Sequence, residues 1–109
     1  MRIDGERTAG MVNCGVFVRL EAKEGKETEV ESFLSAALDL VNQEAETPMW
    51  FAVKFSPSSF AIYDVFESNN GREDHLGGQV AAGLMARADE LFANKLSIEL
   101  FDVLAAKLP

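Results

Sequence analysis

The stretch from Cys14 to Ala22, "CGVFVRLEA", is rich in β-branched and aromatic residues and alternates apolar with polar toward its end, the pattern of a strand. Gly25 interrupts it. From Lys26 to Glu46 the period lengthens. Val30, Phe33, Leu34, Ala37, Leu38 and Val41 recur at the i, i+3, i+4, i+7 spacing of an amphipathic helix. Glu27, Glu29 and Glu31 crowd its first turns, where the helix dipole favours anions. Pro48 marks its end. "MWFAVKF" (Met49 to Phe55) and "FAIYDVFE" (Phe60 to Glu67) read as two further strands. The "SPSS" between them has turn chemistry, so the pair predicts a hairpin. In "SNNG", Asn70 followed three residues later by Glu73 resembles a capping box and predicts a short helix over Gly71 to Leu76. Gly77 and Gly78 loosen or bend the chain, and apolar residues at helical spacing, from Val80 to Phe92, carry a helix on to about Ala93. "LSIELFDVL" (Leu96 to Leu104) predicts a fourth strand.

The order is β-α-β-β-α-β. Right-handed crossovers and one hairpin turn it into an α+β, ferredoxin-like fold: a four-stranded antiparallel sheet with its helices on one face. The other face of such a sheet should be polar if water covers it. It is not. Met49, Phe51, Val53 and Phe55 point one way in the second strand, and Trp50 and Ala52 the other. Phe60, Ile62 and Phe66 oppose Ala61, Tyr63 and Val65 in the third. Ile98 and Leu100 oppose Phe101 and Val103 in the fourth. Large apolar groups on both faces predict an interface, most simply a two-fold homodimer packing sheet on sheet.

The 109 residues are enough for one domain, and a quarter of them charged is ordinary globular composition. The net charge is −8, and Lys and Arg do not cluster, which argues against a nucleic-acid groove or an anionic membrane face. The single cysteine, Cys14, allows no intramolecular disulfide and reads as a small buried side chain. No apolar run approaches a membrane span, and "MRIDGERTAGMVN" lacks the apolar core of a signal peptide. Residues 1–11 are expected to be a flexible extension, with Met1 or Met11 as the start. Residues 12–109 are expected to form the domain, in a cytoplasmic protein.

"FAIYDVFESNNGREDHLGGQVAAGL" (Phe60 to Leu84), set in this order of elements, resembles the antibiotic-biosynthesis monooxygenase family of small dimeric α/β barrels, over roughly Val12 to Leu104. Members tend to have an aromatic-rich third strand with an acidic residue near its end, then a polar loop and a helix bearing a histidine like His75. The resemblance implies a dimeric barrel with a pocket between sheet and helices in each subunit, and His75 at its mouth. It also implies cofactor-free oxygenation of phenols, anthrones or quinols, with no metal. Haem degradation fits poorly, because relatives with that activity carry a tryptophan in the third strand. Here that strand has Tyr63, Val65 and Phe66, and the lone tryptophan is Trp50 in the second.

The residues support that chemistry in outline. A hydroquinone or anthrone reduces O₂ far better as its anion, so the protein must remove a proton, hold the anion and exclude water. An imidazole suits that transfer near neutrality, and His75 is the only one in the chain. Trp50, Phe51, Tyr63 and Phe66 are candidate walls for a flat substrate, and Arg72 could steer an anionic one. Each has a plainer reading: His75 and Arg72 on an exposed polar turn, the aromatics in the core or the dimer interface, Asn13 in a loop. A histidine so exposed could be replaced with little effect on the fold. Asp64 shares an apolar face with Phe60, Ile62 and Phe66, and needs a partner there; Arg19 on the neighbouring strand is a candidate. The expected function is a cofactor-independent monooxygenase acting on a small aromatic. The alternatives are a non-catalytic small-ligand-binding or stress-associated dimer, or an isomerase of a small keto compound using the same histidine.

Overall fold

The computed structural model of the protein describes residues 12–109; the expected N-terminal extension lies outside the described residues. The elements follow in the order β1 (Cys14–Glu21), α1 (Glu27–Val41), β2 (Met49–Ser56), β3 (Ser59–Phe66), α2 (Asn69–Leu76), α3 (Gln79–Leu91) and β4 (Ser97–Asp102). The four strands form one antiparallel sheet ordered β2-β3-β1-β4, the ferredoxin-like arrangement.

The alternation read in the sequence sorts the sheet into two faces. Register pairs Val16 with Asp64, Val18 with Ile62 and Leu20 with Phe60, all on the helix-covered side. Apart from Asp64, these side chains, with Cys14 and Phe66, join Val30 and Leu34 of α1 and Leu84 and Leu91 of α3 in one buried core. A smaller cluster of Ala37, Val41 and Val80 sits where α1 meets α3, with Trp50 packed against both. On the other face Tyr63 stacks on Phe101, ring centroids 5.5 Å apart, and lies 6.4 Å from Phe51. Phe51, Val53, Phe55 and Tyr63 are all exposed there.

Three details of the sequence reading change. Helix α1 stops at Val41, where its apolar stripe ends, rather than running on to Glu46. The chain then turns, with backbone bonds from Gln43 N–H to Leu40 O and from Glu44 N–H to Val41 O. The cap of α2 is Ser68, whose hydroxyl accepts from the N–H of Gly71, and not Asn70. The chain between Asn69 and Leu91 forms two helices: α2 ends at Gly77, and Gly78 opens α3 in extended backbone.

Two glycines are required by geometry. Gly25 closes the turn after β1 at φ +86°, where a side chain is strained. Gly15 has the ring of Phe101 and the carbonyl of Asp64 where a Cβ would stand.

Candidate functional site

His75 lies near the C-terminal end of α2, and the site is built around it. The helix is only eight residues long, so its position is decided by its start. Ser68 caps that start, and Arg72 ties the helix to the sheet by donating to the carbonyls of Gly15 and Phe101 and to Oδ1 of Asn69. This lays one turn against β3 and turns His75 inward.

His75 is therefore buried, 7% exposed, so the plainer reading of an exposed polar turn does not hold. Its ring packs on Phe66 at 5.3 Å. Each ring nitrogen faces a carboxylate. Nδ1 is 2.6 Å from Glu44 Oε1, and Nε2 is 2.9 Å from Asp64 Oδ2. Asp64 is 1% exposed. Apart from the His75 ring, no described side chain donates to the oxygens of Asp64.

Electrostatics follow from burial and pairing. Burial lifts the Asp64 carboxyl above the usual carboxylate range, and the neighbouring imidazole only partly offsets this. Burial alone would push His75 down, but hydrogen bonds and charge from Asp64 and Glu44 outweigh it, so the imidazole holds its proton to higher pH than a free one.

Two cavities meet at this ring. The inner one, about 30 Å³, lies between sheet and helices and is walled by apolar groups such as Val16, Ile62, Leu84 and Met85, with Asp64 and His75 as its polar members. The outer one is an open cleft of about 350 Å³ between the α1–β2 loop and α2, lined by Glu44, Glu46, Thr47, Asp74 and Gln79 among others.

The other residues named from sequence divide by face. Trp50 pairs in register with Asp64 on the helix side, and its indole N–H is buried without a partner among the described residues. Phe66 lies against His75. Phe51 and Tyr63 stand on the opposite face and border neither cavity. The Arg72 guanidinium is engaged with backbone and Asn69, and borders neither cavity. Asn13 donates to the carbonyl of Glu67 and helps hold the end of β3. Arg19 is not the partner of Asp64. It pairs in register with Ala61 on the open face, where its guanidinium lies 4.4 Å from the Phe55 ring centroid.

Sequence reasoning missed Glu44. It sits past the helical stripe in "NQEAET", where nothing in the pattern separates it from its acidic neighbours. The need of Asp64 for a partner was legible, but not which residue would supply it.

No family model matches the chain, and no curated protein does. Solved structures do. The NE2512 protein of unknown function from Nitrosomonas europaea is 49% identical, with 91% of this chain and 96% of that one covered at a TM-score of 0.87. A second Nitrosomonas europaea protein, described as a candidate antibiotic biosynthesis monooxygenase, is 11% identical over 84% of this chain and 99% of its own, TM-score 0.76. A further structure named antibiotic biosynthesis monooxygenase is 12% identical over 84% and 99%, TM-score 0.73. The chain belongs to one family with the NE2512 protein, and its fold is that of the antibiotic biosynthesis monooxygenase family.

Proposed function

We propose that the protein is a cytoplasmic, cofactor-independent monooxygenase that oxidises a small phenolic, anthrone or quinol-type aromatic with O₂, working as a homodimer. The observation that carries this reading is His75 held between Asp64 and Glu44 at the wall of an apolar cavity. Removing a proton from a bound hydroxyl turns the aromatic into the anion that reduces O₂, and the carboxylate–imidazole unit centred on His75 takes that proton. Phe66 backs the His75 ring, while Phe66 and Trp50 themselves border neither cavity and pack in the core behind the site. Met85, at the rim of the cavity and well exposed, is an unbranched side chain that can swing aside to admit a flat ring. The fold shared with structures of that name supports the reaction class.

The dimer closes through the open sheet face, and Phe51, Val53, Phe55 and Tyr63 are its proposed contact surface. An isologous two-fold contact buries such a patch on both copies at once.

The test is oxygen uptake by metal-free protein with a panel of hydroquinones, catechols and anthrones. Turnover without flavin, haem or metal is expected. His75→Gln should lower kcat by roughly 10²–10⁴, the usual contribution of a positioned acid or base. Tight aromatic binding without turnover would replace this reading with a binding module. Isomerisation of a keto compound without O₂ uptake would replace it with an isomerase.

A further inference from the structure

The carboxyl of Asp64 is almost wholly buried, and beyond the His75 ring and the backbone of Val16 no described group donates to either of its oxygens. Leaving a buried carboxyl so is costly unless an occupant donates to it. The space it faces is the inner cavity, whose remaining walls are apolar apart from His75. At about 30 Å³ the cavity has room for a water-sized group, so it is the hydroxyl end of an apolar occupant that would enter it, with the body beside Met85 at the rim. Across the ring, Glu44 faces the outer cleft, with Glu46 and Asp74 also on its lining. His75 is the one described residue that lines both cavities.

The geometry points to a proton relay in which Asp64 is the group that faces the substrate hydroxyl, His75 is the middle carrier, and Glu44 is the exit to solvent. This rests on the proposed reading of the site as one that ionises a phenol-type ligand. In the step, the ligand O–H bond breaks, its electron pair stays on oxygen as the phenolate, and the proton bonds to a free Asp64 oxygen. Asp64 hands that proton to Nε2 of the neutral His75 ring as the ring's Nδ1 proton moves to Glu44, which passes it to water in the outer cleft. One proton enters, one leaves, and no electron is transferred. The short Nδ1–Glu44 contact, 2.6 Å, and the acidic lining of the cleft favour that direction of exit. Asp64 on β3, Glu44 and Glu46 in the α1–β2 loop and Asp74 on α2 itself are the charged groups around the ring or its cleft among the described residues.

The probe is 4-nitrophenol, whose phenolate is coloured. It is mixed with the whole protein slightly below the pH at which the free phenol ionises, with a pH indicator present. In the parent protein, binding should generate phenolate colour together with proton release. Asp64→Asn should bind the phenol but lose most of the bound phenolate. Glu44→Gln should still form phenolate, yet release the proton slower by roughly 10-fold or more, a modest part of what a positioned proton carrier contributes. Added imidazole or formate should restore that release. Asp64→Asn ionising the phenol as well as the parent does, or Glu44→Gln releasing protons at the parent rate, would overturn the relay. If 4-nitrophenol does not bind, the phenol-type substrate falls and the relay that starts from its hydroxyl falls with it. Ionisation and proton release without any O₂ uptake across the panel would sink the monooxygenase and leave the relay standing.

Discussion

At the scale of the residue, His75 reverses a natural expectation. Between Arg72, Glu73, Asp74 and a Gly-Gly pair it reads as a surface histidine, but it sits buried between two acids. Removing it leaves those acids facing each other without a cation. His75→Ala should therefore destabilise the fold by about 3 kcal/mol at neutral pH, the usual cost of breaking a buried pair from one side. A melting temperature lower by roughly ten degrees or more in thermal unfolding would register this. The pH dependence has a definite sign. The folded-state pKa of His75 is raised, so its contribution is full below about 6.5 and is lost as pH rises through the raised value. Asp64 is raised too, so the folded state binds its proton more tightly, and that gain is lost as pH climbs from about 4 upward. Melting curves at constant ionic strength should show stability falling from pH 6 toward pH 9. In His75→Gln that alkaline decline should flatten. An equal decline in the variant would place its origin elsewhere.

At the scale of the element, α2 illustrates how much a short helix depends on its ends. It has no apolar stripe of its own, and Ser68 and Arg72 hold it in place. Ser68→Ala should cost about 1 kcal/mol through the lost cap, read as a lower denaturant midpoint. The same change should loosen His75 and lower turnover in the oxygen-uptake assay. Gly15 is a second point of dependence. Phe101 lies over it from the neighbouring strand, and a methyl group there meets the ring and the carbonyl of Asp64. Gly15→Ala should destabilise by about 1–3 kcal/mol, as overpacking does, with thermal unfolding as the readout. Neither dependence shows in hydrophobic periodicity, because a cap and a close approach leave no repeating signal.

At the scale of the molecule, the sheet presents an apolar ladder, Phe51–Tyr63–Phe101, on the side no helix covers. Light scattering coupled to size exclusion at low micromolar concentration should give twice the chain mass. Tyr63→Glu, which places a charge at the centre of the ladder, should shift the protein to a monomer. A parent protein that elutes as a monomer would remove the barrel and leave the open face without its proposed partner. Among the described residues no helix is long and apolar enough to cross a membrane.

The element order, the hairpin and the division of each strand into two faces were readable from the chain alone. They arise from local alternation and from the i, i+3, i+4 stripe of α1, which any window of the sequence displays. The demand of Asp64 for a partner was readable for a similar reason, since a carboxylate among Phe60, Ile62 and Phe66 breaks the alternation. What answers that demand was decided only by tertiary structure. Glu44, Asp64 and His75 lie in three separate elements, and they meet because α1 stops at Val41, β3 runs antiparallel beside β1, and Ser68 sets the start of α2. Arg19 lost that role because it pairs with Ala61, three positions from the partner of Asp64, an odd offset that puts its side chain on the opposite face of the sheet. Pattern along a chain records which face a residue takes; which groups then lie within 3 Å of one another depends on how whole elements are docked, and that depends on packing across the entire core.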